Sequence, residues 1–151
     1  MTKCCYIVAI IIALATEYDI PPAFALAIVA VESEFNPRAV SPLNRNGTRD
    51  WGLFQINDAY FPTDRWYDPY VNAQQGIRHI RWLMDHPWTS TWWSVALAYN
   101  AGVTRLGDGR AFPPAALRYA DTVMRRFNDF MGGHAPVLIR NRNNQVVGGS
   151  R

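Results

Sequence analysis

Apolar residues recur at helical spacing in segment after segment of this chain, and the two-residue alternation of strands is nearly absent. Such a chain must bury its core chiefly by packing helix on helix. An apolar run from Cys4 to Ala15 follows Lys3 and closes with Ala13-Leu14-Ala15. It reads either as a short secretory signal over 1–15 or as a buried first helix from Tyr6 to Tyr18, ended by Asp19-Ile20-Pro21-Pro22. The run falls short of the ~20 residues that span a bilayer, so no stable membrane span is expected. Proline suits a first helical turn, and a second helix is expected from Pro21 to Phe35, with Phe24, Ala27, Ile28, Val31 and Phe35 at helical spacing and Asn36-Pro37 as its stop. From Ser41 to Asn57 the texture changes. Asn46-Gly47 is a hairpin-type turn signal, and Trp51 to Ile56 suits a brief extended piece. Helical spacing resumes at Tyr70 to Asp85, at Thr91 to Ala101 before Gly102, and at Ala115 to Phe130 before Gly132-Gly133. The expected fold is mainly α, with a small β-hairpin or irregular lobe, in one domain over 1–131. Residues 132–151, rich in Gly, Asn and Arg (Arg140, Arg142 and Arg151), read as a flexible basic tail.

Composition removes several function classes. At 151 residues, 49% hydrophobic and 18% charged, the chain suits a globular domain with a real core. The formal charge of +3 is mild and compatible with an anionic wall polymer. No Lys/Arg run interleaves with aromatics, so nucleic acid is not an expected partner. The two cysteines, Cys4 and Cys5, are adjacent, which provides neither a disulfide framework nor a zinc ligand set. His79, His86 and His134 lie far apart with no partner at ligand spacing, so neither metal nor cofactor is expected. Asp58, Asp64 and Asp68 read as turn or cap residues, and no phosphate loop or nucleophile elbow is present. Six tryptophans and seven tyrosines are many for this length. Part of that set must be core. The remainder suits sugar recognition, because flat rings stack on the apolar face of a pyranose. Trp51, Phe54, Tyr60, Trp92 and Trp93 are the candidates.

One carboxyl stands out. At ~100° per residue, Glu32 lies about 40° from Ile28 and about 80° from Phe24, at the border of the apolar face. Glu34, about 200° further round, points to solvent. A carboxyl at such a border is partly desolvated, which raises its pKa and suits it to donate a proton in glycoside cleavage. The bland alternative is a surface or ion-paired glutamate.

The surroundings of Glu32 carry a resemblance. Glu32-Ser33-x-Phe35-Asn36-Pro37-x-Ala39-x-Ser41, followed by Gly52-Leu53-x-Gln55-Ile56, resembles the catalytic signature of the soluble lytic transglycosylases. Ala98-Tyr99-Asn100-Ala101-Gly102 is similar to a second signature of that family, and Tyr18-x-Ile20-x-Pro22 to the start of its domain, so the match runs over roughly residues 11 to 127. The resemblance favours Ile11 to Tyr18 as part of the fold rather than as a signal. It implies a lysozyme-like α domain acting on peptidoglycan glycan strands in the cell envelope, with Glu32 as the single catalytic acid and then base. In that family the glutamate protonates the oxygen bridging N-acetylmuramic acid to N-acetylglucosamine, and the muramoyl 6-hydroxyl closes on C1 to leave a 1,6-anhydro end. Carried over by position, Ser41, Gln55, Tyr99 and Asn100 line the substrate subsites, and Tyr119 matches a further cleft tyrosine. For Tyr99 and Tyr119 the alternative is plain helix packing.

The segment before Gly52 departs from the family's commonest form. Asn46-Gly47-Thr48-Arg49-Asp50-Trp51, running into Gly52-Leu53-Phe54-Gln55-Ile56-Asn57, is more similar to the c-type lysozymes. Asp50 falls where those enzymes carry a second carboxylate. Such a group permits retaining hydrolysis when the two carboxyls stand about 5–5.5 Å apart. Transglycosylases attached to secretion and conjugation machines resemble this pattern too, and a turn aspartate bonded to its own backbone remains a third reading of Asp50. Three functions thus stay open: a lytic transglycosylase, with a secretion, conjugation or phage assembly as its setting; a hydrolytic muramidase using Glu32 and Asp50; and an inactive glycan-binding or scaffolding domain.

Overall fold

The computed structural model describes residues 3–140 and 145–146. The chain divides into two compact units, 1–78 and 79–151, with the boundary inside one long helix.

The first unit begins with α1 (Lys3–Glu17) and α2 (Pro22–Ser33), which pack on each other. Ile7, Ile11, Leu14 and Ala15 are buried from α1, a single stripe at helical spacing. The first apolar run is therefore a folded helix on α2. Phe24, Ala25, Ala27, Ile28 and Val29 are buried from α2, so this helix lies deep in its unit. It ends at Ser33, earlier than Phe35. Glu34 and Phe35 both turn left-handed, at φ 51° and 61°, and the Asn36 amide donates to the Ser33 carbonyl at 2.9 Å. The reversal precedes the Asn36-Pro37 stop because these two residues take it up.

A two-stranded antiparallel hairpin follows, β1 (Asp50–Trp51) and β2 (Ile56–Asn57), pairing Asp50 with Asn57 and Trp51 with Ile56. Its closing turn is Gly52–Gln55, with Gly52 at φ 73° and Gln55 at φ 50°. Asn46-Gly47 does turn the chain, but ahead of β1: the Gly47 amide donates to Asn44 and the Asn44 amide to Thr48. The extended stretch anticipated from Trp51 to Ile56 is thus mostly turn. On the other side of β1, the Ser41 amide donates to Asp50 and the Gly52 amide to Ala39, so residues 39–41 run beside it as a third extended segment. The first unit ends with the start of α3 (Pro69–Met84).

The second unit holds the end of α3, α4 (Trp92–Ala101), the short α5 (Val103–Gly107) and α6 (Pro114–Phe130). A reciprocal cap starts α4: the Ser94 amide donates to Thr91 Oγ1 at 3.0 Å and the Thr91 amide to Ser94 Oγ at 3.1 Å. Ala116, Ala120, Val123 and Phe127 form the buried stripe of α6, which packs on α4 with Phe127 edge-on to Trp92. Residues 137–140 depart from the loose tail expected of them. Trp92 and Ile139 exchange backbone hydrogen bonds with Val137 and Ser90, and Ile139 is buried. One apolar side chain in a polar context docks this stretch. Arg140 pairs through its backbone with Val146, while Arg142 and Arg151 lie outside the described residues. Among the described residues no helix is long and apolar enough to cross a membrane.

Candidate active site

Glu32 is the penultimate residue of α2 and is half-buried, whereas Glu34 is exposed. Helical phase accounts for Glu32. Glu34 reaches solvent from the left-handed turn rather than from the helix. The residue between Glu32 and that turn provides an anchor: Ser33 Oγ donates to the Leu53 carbonyl at 2.9 Å and lies 3.3 Å from the Val29 carbonyl. This bond joins the end of α2 to the Gly52–Gln55 turn, uniting the two halves of the first sequence signature.

The turn is held from below. Leu53 and Phe54 are fully buried, and the Phe54 ring lies so close to α3 that a Cβ on Gly76 would come within 2.1 Å of it. Asn72, only 3% exposed, clamps the backbone. Its Nδ2 donates to the carbonyls of Trp51 at 2.7 Å and Trp66 at 3.2 Å, and its Oδ1 accepts the Phe54 amide at 2.8 Å. Gln55 Nε2 donates to the Gly52 carbonyl at 2.9 Å, which fixes that side chain against its own turn.

Asp50 is half-buried on β1, and both of its oxygens accept amide hydrogens: Oδ1 from Asn57 at 2.8 Å and Oδ2 from Asn44 at 3.2 Å. Asn44 and Asn57 also share Thr48 Oγ1 as acceptor. Asp50 therefore bonds across the hairpin rather than to its own backbone. Ser41 is brought against it: Ser41 Oγ accepts the Asp50 amide and donates to the Pro42 carbonyl, both at 2.9 Å. These bonds occupy the hydroxyl in loop geometry, leaving one lone pair for a substrate.

The aromatic candidates separate by burial. Phe54 is fully buried and Trp92 is 3% exposed, so both are core residues and neither can stack on a sugar. Trp51 is half-buried, stacked on Trp66 at 5.9 Å with its indole N–H on Asp58, and Tyr67 meets it edge-on. Tyr60 is 90% exposed, and Trp93 donates its indole N–H to Asp121. In the second unit, Tyr99 and Asn100 are consecutive near the end of α4, with Tyr99 half-buried and Asn100 exposed, and Tyr119 is half-buried on α6. The Tyr99 ring tilts against His79 at 5.3 Å. Desolvation lowers the His79 pKa from its usual value.

Ser33, Asn44, Asn57 and Asn72 are the residues that sequence reasoning missed. Asn72 had a signal: it shares the buried stripe of α3 with Ala73, Gly76, Ile77 and Ile80, where a polar side chain must find partners. No such signal marks the asparagines of the hairpin. Among the described residues no group of three or more His, Cys, Asp or Glu could hold a metal ion.

The family model of the transglycosylase SLT domain matches residues 9–112. Protein IpgF of Shigella flexneri is 29% identical over 127 residues, covering 74% of each chain, and protein IpgF of Shigella sonnei is equally similar. Lysozyme 2 of Lucilia sericata is 53% identical over 30 residues, 20% of this chain and 21% of that protein. In structure, the chain is similar to an inactive mutant of the lytic transglycosylase Slt of Pseudomonas aeruginosa, with a TM-score of 0.65 at 16% identity. The match covers 93% of this chain, which spans only 26% of that larger protein. The chain belongs to the transglycosylase SLT domain family and has the lysozyme-like fold of the lytic transglycosylases.

Proposed function

We propose that the protein cleaves the β-1,4 bond between N-acetylmuramic acid and N-acetylglucosamine in peptidoglycan, with Glu32 as acid and then base. The observation that supports this reading is the Ser33 to Leu53 hydrogen bond, which ties the residue after Glu32 to the turn that bears Gln55. The Glu32 carboxyl gives its proton to the bridging oxygen as the bond from that oxygen to C1 breaks. The carboxylate then takes the proton of the muramoyl 6-hydroxyl as its oxygen bonds to C1. The proton returns to Glu32, no water is consumed, and a 1,6-anhydro end results. Family position gives Ser41, Gln55, Tyr99, Asn100 and Tyr119 roles in holding sugars, and Ser41 Oγ also accepts the Asp50 amide.

A hydrolytic reading has one observation in its favour. The Asn44 and Asn57 amides orient the Asp50 carboxylate on both oxygens, as befits a fixed negative charge beside an oxocarbenium-like centre. In the transglycosylase reading the same charge stabilises that centre without attacking it. Such an enzyme works in the cell envelope, with a secretion, conjugation or phage assembly as its setting. Turbidity of purified cell walls tests the assignment. Wild-type protein should clear them, and Glu32→Gln should lower the rate by about 10²–10⁴-fold, the usual contribution of a general acid–base group. Clearance by Glu32→Gln at the wild-type rate would remove Glu32 from the chemistry.

A further inference from the structure

We infer that the end of α3 and the loop after it form a second sugar-binding surface, an aromatic ladder that extends glycan-strand contacts outward from Tyr99. Four rings continue from that tyrosine. His79 lies 5.3 Å from Tyr99 and stacks on Trp82 at 5.8 Å with 14° between planes; Trp82 meets His86 at 5.3 Å, and His86 meets Trp88 at 4.9 Å. Unlike Phe54 and Trp92, the two indoles of this row stay in solvent, with Trp82 53% and Trp88 48% exposed. What sets these two indoles apart from other exposed rings is that they belong to one contiguous row with His79 and His86.

The row is held in shape before any ligand arrives. Trp88 lies flat against Gly107 of α5, where a Cβ would come within 2.3 Å of the indole, so only glycine leaves room for it. The Trp88 amide donates to His86 Nδ1 at 3.4 Å, which ties the two residues of the loop together. Fixed rings bind with less loss of side-chain freedom. Indoles and imidazoles in regular succession offer apolar faces with hydrogen-bonding edges, the chemistry of a polymer of pyranose rings. Continuity with Tyr99 points to the same glycan strand that is proposed as substrate, and to that extent the inference rests on the peptidoglycan reading.

Titration of the protein with a soluble β-1,4-linked N-acetylglucosamine oligomer, followed by NMR of the indole N–H groups, tests the ladder without requiring cleavage. The Trp82 and Trp88 resonances should shift, and that of buried Trp92 should not. Trp82→Ala and Gly107→Ala, the second displacing the Trp88 ring while keeping its chemistry, should each weaken binding by about tenfold. Trp82→Tyr, which keeps a flat ring, should restore most of it. Unmoved Trp82 and Trp88 signals at saturation would overturn the ladder even if the protein cuts peptidoglycan. Shifts at both indoles in a protein that cuts nothing would uphold the ladder and overturn the catalytic reading instead.

Discussion

Asn72 occupies the space that a side chain on Gly52 would need: a Cβ there would lie 2.4 Å from Asn72 Nδ2 and 2.8 Å from the Trp66 carbonyl. Gly52 also sits at φ 73°, a conformation that L side chains rarely adopt. Gly52→Ala therefore meets both a clash and a strained backbone, and should cost about 1–3 kcal/mol or more in chemical unfolding. Asn72→Ala leaves the Phe54 amide and two carbonyls without their side-chain partner. Each buried group left unsatisfied costs about 1–3 kcal/mol. Asn72→Asp keeps the acceptor for the Phe54 amide but sets a buried carboxylate oxygen against the Trp51 and Trp66 carbonyls, so it should cost at least as much as Asn72→Ala in a denaturant titration.

Ser33→Ala isolates the link between α2 and the turn. The Leu53 carbonyl loses its 2.9 Å donor in a buried setting, which should cost about 1–3 kcal/mol. Activity should fall beyond the folded fraction, since Glu32 and Gln55 lose their shared reference point. Cell-wall clearance normalised to folded protein, measured well below the melting temperature, separates the two effects. Equal activity per folded molecule would show that the bond serves stability alone.

Acid should weaken the entry to α3. Asp68 Oδ1 accepts the Tyr70 amide at 3.0 Å and the Val71 amide at 3.1 Å, ahead of Pro69. The Val71 bond, with smaller help from Arg65 and against partial desolvation, lowers the Asp68 pKa from 3.8. A lowered folded-state pKa adds stability that is fully present above the unfolded value and lost as pH falls through the folded one. The loss should therefore begin below about pH 4. Asp68→Ala should cost about 1 kcal/mol at neutral pH, as loss of an N-cap does. Asp68→Asn, which keeps an acceptor, should cost less and flatten the acid limb of a melting-temperature profile.

The fold was legible where period and punctuation agree. The ranges expected for α3, α4 and α6 lie within a residue or so of those observed, because Pro69, Thr91, Gly102 and Pro114 bracket strong helical spacing. Three features were hidden. Glu34 and Phe35 adopt left-handed backbone that their side chains do not favour, so tertiary context ends α2 early. Asn46-Gly47 carries the stronger local turn signal, but buried Leu53 and Phe54, with Asn72 beneath them, fix the hairpin reversal at Gly52–Gln55. Ile139 docks by long-range pairing that a Gly- and Arg-rich stretch does not announce. The half-buried position of Glu32 was legible from helical phase. Phe54 and Trp92 were misleading as sugar platforms because an aromatic side chain looks the same in sequence whether it fills a core or faces a ligand.

Asp50→Asn distinguishes the two roles open to the second carboxylate. As a fixed charge that assists ring closure, it should be worth about 10²–10³-fold in rate, the scale of a single electrostatic stabiliser, with the product unchanged. Asn57→Ala, which removes the donor on Oδ1 at 2.8 Å, should cause a smaller loss of the same kind. A variant that retained full activity would reduce Asp50 to a hairpin brace.

Digestion of purified peptidoglycan with wild-type protein, followed by weighing of the released muropeptides, decides between the two reactions. The expected products carry 1,6-anhydromuramoyl ends, each lighter than a reducing end by one water molecule. Reducing ends in their place would contradict the transglycosylase reading and make Asp50 the partner of Glu32 in a hydrolase.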